Sequence, residues 1–150
     1  MQSKIRIIEY QEKYSKDIIE HIRKIAMNEF KYDDWEDYFN RMSFEEYQNE
    51  GSKFWIALND KDEVIGTIGA LKVSAEEVKM NSLYVNSDYR KLGIAKELYK
   101  LLINFAKQQD YKKITLRTFF KFVNAINFYE KIGFVKYNQD EESYFYMKML

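Results

Sequence analysis

A short basic loop contains the first residues whose types and spacing suit binding chemistry. It lies between a β-prone run and an amphipathic helix, and it reads Arg90-Lys91-Leu92-Gly93-Ile94-Ala95. The first turn of a helix has unpaired N–H groups and a partial positive charge, so it attracts phosphate. Gly93 permits close approach to a ligand, and the two cations add charge. Taken alone, the loop is more typical of an ordinary strand-to-helix connection with a surface Arg-Lys pair.

The strand before this loop shows a break in its alternation of apolar residues. Val78 and Met80 share one parity, whereas Leu83 and Val85 share the other. Side chains of a strand alternate between its two faces, so both pairs can face one core only if an extra residue is inserted. We therefore predict a β-bulge near Asn81-Ser82.

The order of the remaining elements predicts the class of fold. A short strand and two helical segments precede a run of three strands, and a helix, a strand, a helix and two strands follow. A strand, helix and strand in succession indicate a crossover between parallel strands. We expect a single α/β (α+β) domain over residues 1–150, with a mixed, mostly antiparallel sheet, helices on both faces, and the bulged strand splayed from its parallel neighbour.

Composition narrows the classes of function. The chain has 150 residues and zero net charge, which disfavours a protein that binds nucleic acid or a membrane surface. Cysteine is absent and His21 is the single histidine, so we predict no metal centre. No signal peptide or membrane-spanning run stands out in the sequence, and we expect a cytoplasmic protein, either a monomer or a homodimer.

Two segments together resemble the GNAT superfamily of N-acetyltransferases. The loop matches the family pattern R/Q-x-x-G-x-G/A, and the segment from Asn124 to Phe134 is similar to the second signature, NAxxFYxKxGF. The segments have the family's order and separation, and the resemblance is weakest in residues 1–50. Ser87-Asp88 replaces a proline that is common before the loop, and Ala95 replaces its last glycine, which the pattern allows.

The resemblance implies that the chain binds acetyl-CoA, or coenzyme A, as a co-substrate. In the family the pantetheine arm lies between two splayed strands and pairs with exposed backbone groups. The cofactor-binding residues expected from the resemblance are Leu83, Tyr84 and Val85 for pantetheine, Arg90, Lys91, Leu92, Gly93, Ile94 and Ala95 for the pyrophosphate, and Asn124 for the pantetheine or its far end.

The resemblance also assigns catalytic and acceptor residues. Tyr129 matches the family tyrosine that acts as general acid to the leaving thiolate. Glu77 and Glu76 are candidates for the base, although each is also typical of a solvated turn, and a water chain is the alternative. The acceptor site is expected around Tyr32, Asp33 and Trp35, where carboxylates and aromatic rings favour a cationic amine such as a polyamine, an amino sugar or a peptide lysine. An amphipathic surface helix explains that segment equally well.

Two functions remain open from the sequence. The first is an N-acetyltransferase that transfers an acyl group from acyl-CoA to a small-molecule or peptide amine by direct attack in a ternary complex. The second is a non-catalytic acyl-CoA-binding sensor or regulatory module. Tyr129 favours the enzyme, because a sensor has no need of an acid beside the thiol.

Overall fold

A mixed sheet forms the central layer of the structure. The computed structural model describes residues 4–30 and 36–150, without the side chains of residues 29, 30, 36 and 37. Within those ranges seven strands pair in the order β1-β2-β3-β4-β5-β7-β6. The strands are β1 (Arg6–Glu9), β2 (Lys53–Leu58), β3 (Val64–Lys72), β4 (Glu77–Val85), β5 (Lys113–Phe119), β6 (Val135–Gln139) and β7 (Ser143–Met149). The β4–β5 pair is parallel and the other pairs are antiparallel, as predicted.

Helices cover both faces of the sheet and divide the core into two. They are α1 (Ser15–Phe30), α2 (Glu36–Arg41), α3 (Ile94–Gln108) and α4 (Val123–Lys131). On one face the apolar sides of α3 and α4 pack on the sheet, with Leu98, Leu102 and Tyr129 buried. On the other face α1 and α2 contribute Ile18, Ile22, Phe39 and their neighbours. The predicted arrangement of helices on both faces is confirmed, and burial of these apolar sides is the main stabilising contribution.

The second short helix predicted from the sequence is a 3-10 helix rather than an α-helix. The pattern Ser43-Phe44-Glu45-Glu46 predicts the start of a second helix, but α2 ends at Arg41 before it. The pattern instead opens a single 3-10 turn, in which the Glu45 N–H donates to the Ser43 hydroxyl at 3.3 Å. The turn does not continue, because Asn49 has an extended backbone and Gly51 a φ of 84°.

The bulge in β4 occurs where the alternation of apolar residues breaks. Thr67 pairs with Tyr84 and Gly69 pairs with Asn81, so one residue of β3 lies opposite two residues of β4. Ser82 takes up the extra length with a φ of 57°. As a result Val78, Met80, Leu83 and Val85 all pack in the α3–α4 core, whereas Tyr84 packs in the core under α1. The prediction of a bulge near Asn81-Ser82 is confirmed.

A hydrogen bond from His21 connects α1 to β4 just after the bulge. The side chain of His21 is 6% exposed, and its Nε2 lies 3.1 Å from the carbonyl oxygen of Tyr84, to which a neutral imidazole donates. Burial lowers the pKa of His21 to about 4, and the nearby charge of Lys24 acts in the same direction. No local pattern singles this histidine out, because its partner is a backbone atom that lies 63 residues away.

His21 should make stability depend on pH in mildly acidic solution. Its pKa in the folded protein is lower than the usual value of 6.5, so the unfolded chain binds the proton more tightly. The stabilisation is therefore complete above pH 6.5 and is lost as the pH falls towards 4, by about 3 kcal/mol in total. Urea unfolding across this range measures it. His21→Gln, which keeps a donor but does not titrate, should flatten the decline, and an equal decline in both proteins would contradict the assignment.

Candidate active site

A cleft of about 950 Å³ opens where β4 and β5 stop pairing. The parallel register extends from Glu77 opposite Lys113 to Lys79 opposite Thr115, after which each strand continues without the other. Residues of β4, β5, α4 and the start of α3 form the walls, with Ile25, Tyr38 and Tyr47 added from the other face. Of the sequence-predicted residues, the cleft is lined by Leu83, Tyr84, Val85, Arg90, Ala95, Asn124 and Tyr129.

The wall formed by β4 offers backbone groups to the cleft. The Asn86 N–H donates to the Ile65 carbonyl at 2.9 Å, which places the backbone groups of Asn86 on the β3 side. Backbone groups of an antiparallel strand alternate between its two neighbours. Those of Val85 therefore point towards β5 and the cleft, and its carbonyl accepts from Arg90 Nε at 3.3 Å. This edge can pair with an extended ligand.

A buried side chain of β3 holds the bulge in β4. Thr67 Oγ1 donates to the Ser82 carbonyl at 2.7 Å, and Thr67 is completely buried. A non-glycine residue with a positive φ is strained by roughly 1 kcal/mol or more, so the surroundings must hold Ser82 in place. The Thr67 hydroxyl supplies one of those restraints.

The mouth of the cleft is the N-terminus of α3. Gly93 has a φ of 78°, and no atom lies within 4 Å of the position that a Cβ would take. The Glu97 N–H donates to the Gly93 carbonyl at 3.0 Å, so the N–H groups just before it lie ahead of the first helical bond. Leu92 is 58% exposed at this rim, whereas the Ile94 side chain is buried in the core and leaves only its backbone for a ligand. Lys91 also has a left-handed backbone, with a φ of 72°.

Two contacts set the position of this rim. The Asn59 side chain, which is buried in the β2–β3 turn, donates from Nδ2 to the Tyr89 hydroxyl at 3.0 Å. Gly66 of β3 allows α3 to approach the sheet, because an added Cβ would lie 3.2 Å from Ile94 Cγ2 and 3.3 Å from Leu98 Cδ1. The rim is thereby fixed relative to the sheet from both of its ends.

Tyr129 lies in the cleft wall on α4. Its side chain is 8% exposed, and its ring lies 6.1 Å from that of Phe134 and 6.0 Å from that of Phe128. Burial raises the pKa of Tyr129 well above its ordinary value, so the phenol stays protonated near neutral pH. Hydrogen bonds anchor this helix to β7: Tyr146 donates to Glu130 at 2.6 Å, and Lys148 Nζ donates to the Ile132 carbonyl at 2.7 Å.

The structure does not bring the sequence-based base candidates into the cleft. Glu77 lies at the paired end of β4 and β5, where its carboxylate accepts from Thr115 Oγ1 at 2.8 Å and forms an ion pair with Lys113 at 3.4 Å. Glu76 is exposed in the preceding turn. Neither lines the cleft, which favours the structural interpretation of both. The acceptor residues expected at Tyr32, Asp33 and Trp35 lie outside the described residues.

Several lining residues escaped sequence reasoning. Lys79, Asn81 and Arg117 lie on β4 and β5, and Tyr38 and Tyr47 approach from α2 and the turn after it. The Asn81 amide donates to the Tyr47 hydroxyl at 3.1 Å. The available signal was their parity, because each strand residue follows an apolar residue that faces the other side. Its use required knowing which strands are neighbours.

The charge of the cleft is one-sided. The ionisable side chains other than tyrosine that line it in the described ranges are Lys79, Arg90, Arg117 and Lys121, all cationic. The cleft therefore suits an anionic ligand.

Two other features are absent from the described part of the chain. It contains no group of three or more His, Cys, Asp or Glu side chains that could hold a metal ion. It also contains no helix that is both long and apolar enough to cross a membrane.

Comparison with known proteins gives consistent matches. Residues 19–134 match the model of the acetyltransferase (GNAT) family. N-acetyltransferase 8 of Homo sapiens is 34% identical over 94 residues, which cover 59% of this chain and 41% of that protein. The probable N-acetyltransferase camello of Xenopus tropicalis is 34% identical over 90 residues, with the same coverage. The chain thus spans about two fifths of the length of these curated relatives.

Solved structures match over nearly the whole chain. A GNAT-family acetyltransferase from Staphylococcus aureus Mu50 is 31% identical, covers 98% of this chain and 99% of its own, and superposes with a TM-score of 0.86. The PaiA N-acetyltransferase of Thermoplasma acidophilum, solved in complex with coenzyme A, is 19% identical with a TM-score of 0.80 over 98% of this chain and 99% of its own. At that identity the second match shows a shared fold.

Removal of the Thr67 hydroxyl should weaken the bulge. Thr67→Val preserves the shape but leaves the Ser82 carbonyl without this donor, so we expect the free energy of unfolding to fall by about 1–3 kcal/mol. Urea unfolding measures the loss. Thr118→Val is the matched control, because Thr118 is also buried in the sheet and its hydroxyl has no hydrogen bond in the described structure. Equal losses in the two variants would mean that the bond to Ser82 does not hold the bulge.

Proposed function

The chain belongs to the GNAT acetyltransferase family, and on that premise we propose that it transfers an acetyl group from acetyl-CoA to a primary amine. Residues 1–150 would act as one domain. The observation that supports this most strongly is the cleft between β4 and β5, which has a helix N-terminus at its mouth and a buried tyrosine in its wall. The reaction is a direct attack in a ternary complex.

In this proposal the donor binds along β4. The pyrophosphate lies against the N-terminus of α3, where the N–H groups of residues 92–95 and the side chains of Arg90 and Lys91 neutralise its charge. The space in front of Gly93 admits the phosphates without contact with a Cβ. The pantetheine arm pairs with backbone groups of β4 from Leu83 to Val85. Asn124, in the first turn of α4, holds the arm from the opposite wall.

The acyl transfer is balanced by two proton movements. The neutral amine attacks the thioester carbonyl, a C–N bond forms, and the C–S bond breaks to release the thiolate of coenzyme A. Tyr129 donates a hydrogen bond and then its proton to the departing sulfur, and it regains a proton from the water that has taken up the proton of the amine. Backbone N–H groups at the bulge stabilise the oxyanion. No carboxylate appears among the described side chains that line the cleft, and in this proposal the amine gives its proton to water rather than to Glu77.

The alternative of a non-catalytic acyl-CoA sensor has one observation in its favour. A sensor needs no base, and the described lining of the cleft contains no carboxylate. Release of free thiol from acetyl-CoA in the presence of amines separates the two functions. Turnover supports the enzyme, whereas tight binding of coenzyme A without turnover of any amine supports the sensor.

Tyr129→Phe tests the assigned acid. The substitution preserves the buried ring and removes the proton donor, so kcat should fall by at least about tenfold. The Michaelis constant for acetyl-CoA should change little, because the hydroxyl acts on the leaving group. Steady-state thiol release measures both constants.

The matched control is Tyr137→Phe, which removes the hydroxyl of an exposed tyrosine on β6 outside the cleft. This variant should retain the kcat of the original protein. Unchanged kcat in Tyr129→Phe would refute the acid role.

A further inference from the structure

Two cations of the cleft face the side of the sheet that α1 and α2 cover. Val78 and Met80 pack in the core under α3, so the intervening Lys79 points to the opposite face. On β5, Ile114 and Leu116 pack in that same core, and Arg117 likewise points away from it. Both cations line the cleft, and neither belongs to the face that carries α3.

The two cations lie on adjacent strands, near the paired end of the cleft. Lys79 is opposite Thr115 in the parallel register, and Arg117 is two residues further along β5 on the same face. Val85 lies at the end of β4 nearest the pyrophosphate position. Lys79 lies six residues earlier, and at the rise of a strand this separates Lys79 from that end by about 20 Å. Arg90 and the N-terminus of α3 serve that other end, so the phosphates do not require Lys79 or Arg117.

The surroundings of these cations are suited to binding an anion. Lys79 is half-buried, and its side-chain ammonium forms no ion pair or hydrogen bond with any described residue. Arg117 is held in position by Ser143 Oγ at 2.9 Å and by the ring of Phe145, whose centroid lies 5.8 Å away. Its contact with Asp140, at 3.5 Å, is solvent-exposed and weak. A guanidinium whose Nε is held by Ser143, together with an ammonium that has no partner among the described residues, can bind a carboxylate.

A neighbouring cavity defines the rest of the acceptor. This second cavity of about 520 Å³ shares Tyr38, Tyr47 and Ser82 with the cleft, so it joins the cleft at the bulge. Met42 and Phe44 add apolar surface to it, and the cation Arg41 also lines it. An apolar side chain therefore fits this cavity better than a second ammonium group, which Arg41 would repel.

We infer that the acceptor is an amine that also bears a carboxylate, as an α-amino acid with an apolar side chain does, and that Lys79 and Arg117 bind the carboxylate. The inference rests on the proposed function and specifies its substrate class. The cations repel the polyamines and amino sugars that the acidic segment around Asp33 favours from sequence. The carboxylate-bound amino acid presents its amine to the thioester at the bulge.

Matched pairs of amines test this inference. L-phenylalanine with phenethylamine, L-methionine with 3-(methylthio)propylamine, and L-lysine with cadaverine differ within each pair by the carboxylate alone. We expect kcat/KM from thiol release to be at least about tenfold higher for the amino acid in each apolar pair, since a site built around a polar group rejects its analogue. Equal or higher values for the decarboxylated amines, or cadaverine as the preferred acceptor, would overturn the inference while leaving the proposed function intact.

Substitution of Lys79 tests whether this residue causes the preference for amines that bear a carboxylate. Lys79→Met should raise KM for amino acids at least about fivefold, with kcat and the KM for acetyl-CoA nearly unchanged, and Lys79→Glu should shift the preference towards the decarboxylated amines. Lys107→Met, at an exposed position in the last turn of α3, is the matched control and should behave as the original protein. Loss of kcat for every acceptor, or unchanged KM, would argue against a carboxylate site.

A binding measurement covers the case in which no amine turns over. The complex with coenzyme A is titrated with N-acetyl-L-phenylalanine and with N-acetylphenethylamine by calorimetry. Tighter binding of the carboxylate that disappears in Lys79→Met supports the inference even if the chain is a sensor. Equal binding of both compounds overturns it, whatever the outcome of the Tyr129→Phe experiment.

Discussion

Two parallel strands that stop pairing leave backbone donors and acceptors facing each other across a gap, and such groups cost free energy unless something binds them. In this protein the gap begins after three register pairs of β4 and β5. The bulge at Ser82 keeps the apolar side chains of β4 in the core beyond that point. The helix N-terminus, the buried phenol and the cations all surround this gap, so every part of the site depends on the interruption of that pairing.

The sequence predicted the donor side of the site more fully than the acceptor side. The bulge follows from a parity break within one strand, and the positions of α3 and Gly133 follow from local spacing, with Gly133 adopting a φ of 99° as expected of a C-terminal cap. These features depend on neighbours in the chain. The roles of individual residues in binding and catalysis remain predictions.

The acceptor side depends on contacts between distant segments. Lys79 and Arg117 become neighbours only through the register of β4 and β5, and Tyr47 reaches Asn81 across 34 residues. No local pattern encodes those distances. Glu77 depends on pairing in the same way: the sequence offers it as a candidate base or a solvated turn residue, and the parallel register places its carboxylate beside Thr115 and Lys113 at the paired end of the two strands.

The sheet consists of two antiparallel halves, β1 to β4 and β5 to β7, and the short parallel contact between them is a seam. A donor bound in the cleft would act as the missing length of that seam, because it would pair with one half and contact the other. Ligands that bind only the folded form add to its stability in proportion to the logarithm of their concentration. A larger supply of acyl-CoA would thus make local unfolding at the seam, and cleavage there by proteases, less frequent. Abundance of the protein in a cell would then follow the abundance of its donor.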